Sequence, residues 1–331
     1  MILLTGATGY LGSQIARSLM ERKMNFRVYV REPRRLEFNP GDAPCEIFVG
    51  DLAGPRSLET AMRGVKQVIH TAGLVKMWVR DPGDFERVNI AGLQNILRAA
   101  ATAGVERVVY TSSFIAMGPS ANPSAGEGLR HAGRYTNKYQ ETKARALNWL
   151  RDEGFRQFPV VALLPGVIYG AGPDTEGNLV GQMIRQYMAG KFPGLLGTGE
   201  QRWSFSYIDD VVAAHLAALH AGMVGEEYIV AGDNRPLNDL FRIVGELTNV
   251  RRPVRHLPFA LGKMLGAIEG ARAKLTGRAP QITPGVVEIF KHDWVYASDK
   301  AAEELGFHVT PLEEGLRKAL GHSAAMGRQE I

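Results

Sequence analysis

A single cysteine, Cys45, stands in 331 residues. That excludes an intramolecular disulfide and any multi-cysteine metal centre, so a reducing, cytoplasmic setting is expected, with Cys45 as a small apolar core residue. Long hydrophobic runs are also missing. The longest candidate, Phe158 to Ala171, is broken by Pro159, Pro165 and Gly166, short of the roughly 18 residues that span a bilayer. The opening residues carry no cationic stretch ahead of a small-residue cleavage site, so no leader is expected. Aromatic residues amount to only 8%, and repeats and low-complexity tracts are lacking; 45% hydrophobic and 22% charged residues describe an ordinary globule. The length suits two domains, or one α/β domain with an appended lobe. The formal net charge is +5, but the arginines are scattered rather than gathered into a stripe, so no nucleic-acid partner is expected.

What the chain has is glycine in a telling place. Ile2-Leu3-Leu4-Thr5 runs as an apolar strand into Gly6, Gly9 and Gly12, and then into a helical pattern. Gly6 permits a sharp turn, Gly9 lets backbone N–H groups approach phosphate oxygens, and Gly12 lets the helix close on the strand. The helix N-terminus then offers free donors and a partial positive charge to a pyrophosphate, with Thr8, Tyr10 and Leu11 completing the loop. Strands near 1–5, 26–31, 45–49, 66–71, 106–112 and 159–164 alternate with helices near 11–22, 55–63, 84–103 and 136–152. This predicts an α/β, Rossmann-type doubly wound parallel sheet. After residue 165 the regularity breaks into loops rich in Gly and Pro, with helices near 177–189, 236–248, 258–275 and 311–320. We expect a dinucleotide-binding domain over 1–165 and a smaller, mainly helical substrate lobe over 166–331, with segments of about 205–230, including Tyr228-Ile229-Val230, returning to the main sheet.

The end of the second strand distinguishes the two nicotinamide cofactors. An acid there accepts from the ribose 2′-hydroxyl of NAD, whereas cations meet the 2′-phosphate of NADP. Arg31, Arg34 and Arg35 stand at that position and favour NADP(H) over NAD(H), because guanidinium matches phosphate in geometry and charge. Glu32, between them, opposes this by offering an acceptor. Asp51 and Leu52 follow the third strand, placed for the adenine. Thr71, Ala72 and Gly73 follow the fourth, where small residues leave room for the ribose.

Tyr139 and Lys143 lie one helical turn apart. An ammonium there can hold the nicotinamide ribose and favour the phenolate, bringing a phenol of ordinary pKa about 10 toward useful proton transfer. Tyr187 with Lys191, and Tyr296 with Lys300, share the spacing, but only Tyr139 follows a strand ending in serine, Val108 to Ser113. Ser113 is the candidate to bind a reacting carbonyl oxygen, with Ser112 as the alternative.

Thr5-Gly6-x-x-Gly9-x-x-Gly12, Asp51-Leu52, His70-x-Ala72-Gly73, Asn89, Thr111-Ser112-Ser113, Tyr139-x-x-x-Lys143, Leu164-Pro165-Gly166-Val167-Ile168-Tyr169-Gly170 and Ser206-Tyr207-Ile208-Asp209-Asp210 occur in that order. In this the chain resembles the extended short-chain dehydrogenases/reductases over roughly residues 1 to 250. The resemblance implies Tyr139 as proton donor, Lys143 as ribose clamp, Ser113 as carbonyl-positioning hydroxyl and Asn89 as support for the relay. It also implies cofactor contacts at Pro165, Gly166, Val167 and Ile168, and a homodimer through two helices that include the one bearing Tyr139. Asn89 is equally readable as a local helix hydrogen bond.

Two departures narrow the implied chemistry. Phe114 and Ile115 follow Ser113 where dehydratases of nucleotide sugars carry acids. Trp203 stands where sugar-nucleotide epimerases carry a diphosphate-gripping arginine, with Arg202 adjacent as a candidate substitute. Met77, Trp78, Phe114, Met117, Tyr169, Phe192 and Trp203 are the candidate pocket positions. An NADP-dependent reductase of an apolar or aromatic ketone, similar to the dihydroflavonol reductase-like branch, is the expected function. A sugar or nucleotide-sugar epimerase with tightly bound NAD(P), and a cofactor-sensing or RNA-associated binding protein that keeps the fold, are the alternatives.

Overall fold

Near-continuous apolar runs that bury both faces build a parallel sheet, because only helices on both sides can cover them. A computed structural model describes residues 1–326 except Pro40, Asp42, 121–124 and Arg251. In it β1 (Ile2–Thr5) is followed by α1 (Tyr10–Glu21), β2 (Phe26–Val30), β3 (Cys45–Val49), α2 (Pro55–Ala61) and β4 (Gln67–His70). Leu11, Ile15 and Leu19 form the stripe that seats α1 on the sheet. The helix expected near 84–103 is α3 (Gly83–Glu86) and α4 (Gly92–Thr102) joined by a π turn over Arg87–Ala91. Then come β5 (Arg107–Thr111), a 3₁₀ turn (Phe114–Ala116), α5 (Lys138–Trp149), a second π turn (Leu150–Gly154), α6 (Phe155–Gln157), β6 (Val160–Pro165) and β7 (Val167–Tyr169).

The second half contributes α7 (Leu179–Met188), β8 (Leu195–Leu196), β9 (Arg202–Tyr207), α8 (Ile208–Ala217), β10 (Glu227–Val230), β11 (Asp233–Pro236), α9 (Leu237–Thr248) and β12 (His256–Leu257). Four helices close the chain: α10 (Phe259–Thr276), α11 (Pro284–Ile289), α12 (Asp299–Leu305) and α13 (Leu312–Met326). The main sheet runs β3-β2-β1-β4-β5-β6-β10 with every neighbour parallel. Strand order reverses between β1 and β4, and the crevice that opens at such a switch point is where an open α/β sheet takes its ligand.

The chain re-enters the main sheet late. Tyr228 of β10 pairs in register with Leu163 of β6, and α8 packs on α1. Arg151 ties the two halves with a buried ion pair to Glu227 and hydrogen bonds to the Glu127 and Leu129 carbonyls. The second half also holds two small sheets, β11-β9-β7 and β12-β8, that its irregular sequence pattern did not reveal.

Candidate active site

At the end of β1, Gly6 takes φ +81°, and a Cβ there would sit 2.4 Å from the Thr71 hydroxyl. A Cβ on Gly12 would lie 2.2 Å from the Gly6 carbonyl. The loop is thus drawn tight against β4, and neither position admits a side chain. Gly9 caps α1 without a side-chain hydrogen bond, and no acid lies in the first turn. The N-terminal donors of the helix remain available to an anion. Tyr10 is buried and its phenol donates to the Gly170 carbonyl at 3.0 Å. Its ring supports Gly172 of the turn that crosses this end of the sheet. Across the same opening, Lys76 meets Glu176 at 2.7 Å.

Arg31, Arg34 and Arg35 project into solvent at the end of β2, with side chains 66%, 85% and 62% exposed. Glu32 does not face inward. Arg34 binds its carboxylate at 3.0 Å and Arg35 lies 3.9 Å away; the hydrogen bond from Arg34 is the main cause that holds this carboxyl below its ordinary pKa. Asp51 accepts from the Ala53 N–H at 2.8 Å and stands 3.9 Å from Arg31. Leu52 packs partly buried, against Gly92.

The catalytic candidates converge from three elements. Asn137 caps α5 by accepting from the Gln140 N–H at 2.8 Å, which starts the helix two residues before Tyr139. Tyr139, Lys143 and Ser113 are all buried, and the Ser113 hydroxyl lies close enough to the Tyr139 phenol to lower its pKa. Ser113 also accepts a long 3.4 Å bond from the Ile115 N–H, capping the 3₁₀ turn. Burial pushes the Tyr139 phenol up to about 12, against the lowering effect of Ser113. Desolvation brings Lys143 down to about 8. The Lys143 ammonium donates to the Thr111 carbonyl at 3.1 Å and to the Tyr110 hydroxyl at 3.5 Å. A Cβ on Gly73 would come within 3.5 Å of Lys143 Nζ, so the space beside the ammonium is open because that residue is glycine.

Asn89 does not touch Tyr139 or Ser113 in any hydrogen bond of the described residues. Its amide spans two elements instead. Oδ1 accepts from the Leu74 N–H at 2.8 Å, and Nδ2 donates to the Leu74 carbonyl at 3.3 Å and to the Thr142 hydroxyl at 3.1 Å. It therefore pins the segment after β4 to the catalytic helix. The π turn that carries it is a kind of irregularity that recurs at functional sites.

Several contacts beneath the site could not be read from the sequence. Tyr110 underlies Lys143, with the ammonium 5.2 Å from its ring centroid. His70 stacks on Tyr110 at 5.7 Å and hydrogen-bonds Thr5 at 2.7 Å; burial, helped by the nearby Lys143, takes it down to about 3. Behind Ser113, Phe114 packs edge-on to Trp294 and Tyr296, at 5.4 and 5.8 Å. Trp203 stacks on Phe290 at 4.8 Å and bridges in register to Trp294. Strand alternation turns Arg202 the other way, exposed and bonded to the Asn234 carbonyl, so it does not replace the missing arginine.

The remaining expected pocket positions divide. Met77 meets Asn137 Nδ2 at 3.6 Å, close to the start of α5, and Trp78 is half-buried in the same loop. Met117 and Tyr169 are corrected to core residues. Neither has exposed surface, and Tyr169 packs on Phe205 and Tyr207. Phe192 stacks on Phe241 at 4.6 Å in the packing between α7 and α9. Pro165 ends β6, Gly166 donates to the Ser206 hydroxyl at 3.1 Å, and Val167 and Ile168 pair with β9. Of the two rival tyrosine–lysine spacings, Tyr187 donates to the Val250 carbonyl and Lys300 lies over Tyr228. Neither makes a catalytic pair.

The model of the NAD dependent epimerase/dehydratase family matches residues 2–231, well over half of the chain. The chain belongs to this family. Sterol demethylase protein B of Methylococcus capsulatus is 32% identical over 321 residues, covering 96% of each chain. A 3-beta-hydroxysteroid dehydrogenase of Mycolicibacterium neoaurum is 25% identical over 328 residues, covering 92% of this chain and 86% of the relative. The crystal structure of gox2253 superposes with a TM-score of 0.81 at 32% identity, covering 99% of both chains. The protein is thus an NAD(P)-dependent oxidoreductase of the extended short-chain dehydrogenase/reductase type, with a Rossmann-type sheet. A nicotinamide cofactor fits the glycine-lined cradle at α1 and the open space at Gly73.

Proposed function

We propose that the protein is a cytoplasmic, NADP(H)-dependent carbonyl reductase for an apolar or aromatic ketone, with the reverse oxidation of the alcohol equally allowed. The observation that carries this reading is that the buried Tyr139 phenol lies within reach of the Ser113 hydroxyl, with the buried Lys143 one turn along the same helix. When bound, the cofactor supplies hydride to the carbonyl carbon. Ser113 hydrogen-bonds the carbonyl oxygen and orients it toward Tyr139. The phenol, with its pKa held up by burial, is protonated at neutral pH, which is the form required to give a proton to oxygen as negative charge develops there. Lys143, through the gap at Gly73, reaches a ribose hydroxyl.

Three observations support the finer details. Engagement of Glu32 by Arg34 and Arg35 removes the acceptor that NAD would use, leaving guanidinium for a 2′-phosphate. Phe114, next to Ser113 and held edge-on by the buried Trp294 and Tyr296, is an apolar neighbour that suits an apolar carbonyl compound. Trp203 is buried and Arg202 points away from it to the Asn234 carbonyl, which disfavours a nucleotide-sugar substrate with a diphosphate to grip. The names of the two relatives, a sterol and a 3-beta-hydroxysteroid protein, agree with an extended apolar substrate.

The test is a ketone and aldehyde panel followed by NADPH absorbance. Turnover with an apolar ketone, lost in Tyr139→Phe while NADPH binding persists, is the expected outcome. Unimpaired Tyr139→Phe refutes the assignment. NAD retained through purification with no net cofactor consumption identifies an epimerase instead.

A further inference from the structure

Helix α10 is apolar on the side that faces solvent. Gly262, Gly266 and Ala273 form its buried face, where Gly266 lies so close to α11 that a Cβ would come within 2.9 Å of the Pro284 nitrogen. Small residues there let the helix lie flat on its neighbour. The opposite face carries Leu261, Met264, Leu265, Ile268 and Leu275, exposed by 36%, 54%, 40%, 58% and 89%. Leu261, Met264, Leu265 and Ile268, at i, i+3, i+4 and i+7, make one apolar stripe along the first half of the helix, and Arg272, paired with Glu269, separates it from Leu275 near the end. Exposed apolar residues scattered singly are ordinary, whereas four on one face of a helix, with Leu275 beyond them, mark a binding surface.

The border of the stripe is cationic. Lys263, Lys274 and Arg278 flank it, and Arg80 lies beside Gly277 at the C-terminal end of the helix. Lys274, Arg278 and Arg80 pair with no carboxylate among the described residues. The nearby acids are already engaged: Glu269 by Arg272 at 2.7 Å, and Glu288 by Lys291 and Lys263 at 3.0 and 3.3 Å. An apolar stripe with a cationic border is the pattern of a helix that lies in the plane of a membrane interface. Among the described residues no helix is long and apolar enough to cross one. We infer that α10 docks this enzyme on the surface of an anionic phospholipid bilayer, with its apolar stripe inserted among the acyl chains and Lys274, Arg278 and Arg80 at the headgroups.

This placement brings the catalytic cleft to the lipid surface. Arg80 belongs to the loop that carries Met77 and Trp78, and Gly285 of α11 abuts the Thr136 carbonyl just before α5.

The experiment is sedimentation of the full-length protein with vesicles of phosphatidylglycerol and, separately, of phosphatidylcholine, without substrate or cofactor, so that its outcome is independent of the reductase reading. Binding to phosphatidylglycerol vesicles that weakens at high salt and on phosphatidylcholine is expected. The surface substitutions Met264→Glu with Ile268→Glu, and separately Lys274→Glu with Arg278→Glu, each reduce it by at least about tenfold, with the thermal unfolding midpoint unchanged. Absence of binding, or equal binding by the variants, overturns the inference. So does a size-exclusion shift from dimer to monomer in the Met264→Glu, Ile268→Glu variant, which assigns the face to a second copy of the chain.

Discussion

Replacing Asn89 with Ala isolates the role of one amide that holds two parts of the active site together. The side chain is 3% exposed and makes three hydrogen bonds, two to Leu74 and one to Thr142. Thr142 keeps its own donation to the Lys138 carbonyl at 2.9 Å. The groups stranded are therefore chiefly the N–H and carbonyl of Leu74, at about 1–3 kcal/mol for each buried group left unpaired. Because Leu74 is only half-buried, water recovers part of this, and a loss of about 2–4 kcal/mol of folding stability follows. The catalytic consequence is separate. A Cβ on Gly73 would lie 3.5 Å from both Asn89 Oδ1 and Lys143 Nζ, so a drift of this segment alters the space beside the ammonium, and misplacement near 1 Å lowers turnover by about 100-fold. Urea unfolding and steady-state kinetics measure the two effects. Asn89→Asp keeps the acceptor for the Leu74 N–H but sets a carboxylate against the Leu74 carbonyl, and is expected to be no better than Ala. A loss below about 1 kcal/mol with unchanged kcat, against these magnitudes, refutes a positioning role for Asn89.

Two further expectations concern cofactor choice and pH. The double substitution Arg31→Ala, Arg35→Ala weakens NADPH by about 10- to 100-fold, the scale of charge-assisted bonds at exposed sites, and leaves NADH nearly unchanged; titration of both cofactors checks this, and equal losses contradict the assignment. His70 and His215 are buried and brought down to about 3 and about 4, chiefly by desolvation. Both stay neutral in the folded state while the unfolded chain takes up protons below its ordinary histidine pKa near 6.5, so the stability they contribute is complete above that pH and falls as the solution is acidified toward the folded values. Unfolding free energy drops by about 2 kcal/mol per histidine between pH 6.5 and 5; His215→Gln reduces that slope, and a flat profile contradicts the neutral, buried assignment.

The legible parts of the chain were those where one physical cause acts over a short stretch. Strands such as Val160–Pro165 announce themselves because both faces are buried, and the glycine loop does so because close approach leaves no alternative at Gly6 and Gly12. Tyr139 and Lys143 were found from helical spacing combined with the preceding serine strand. The aromatic cluster was not found, because Phe114 meets Trp294 and Tyr296 only after the chain has folded back across more than half its length. Tyr296, met in the sequence as a rival tyrosine–lysine spacing, belongs instead to that cluster, its phenol bonded to the Gly118 carbonyl. Tyr110 reads as an ordinary strand residue and His70 only as part of a motif, since nothing local shows that Lys143 lies beside them. Met117, Tyr169 and Phe192 look like pocket residues in sequence for the same reason that they pack well: large apolar side chains serve either purpose.

The late return of β10 to the edge of the main sheet has a consequence for synthesis. A nascent chain halted near residue 165 has six of the seven parallel strands, but lacks both the partner of β6 and the helix α8 that covers α1. Closure of such non-local pairings waits on the slowest loop. The ribosome must therefore release Ile208–Ala217 before α1, whose N-terminus forms the nucleotide cradle, gains its cover, and Glu227–Val230 before β6 gains its outer partner; until then the exposed rim of β6 is the part of the molecule that a chaperone has most reason to guard.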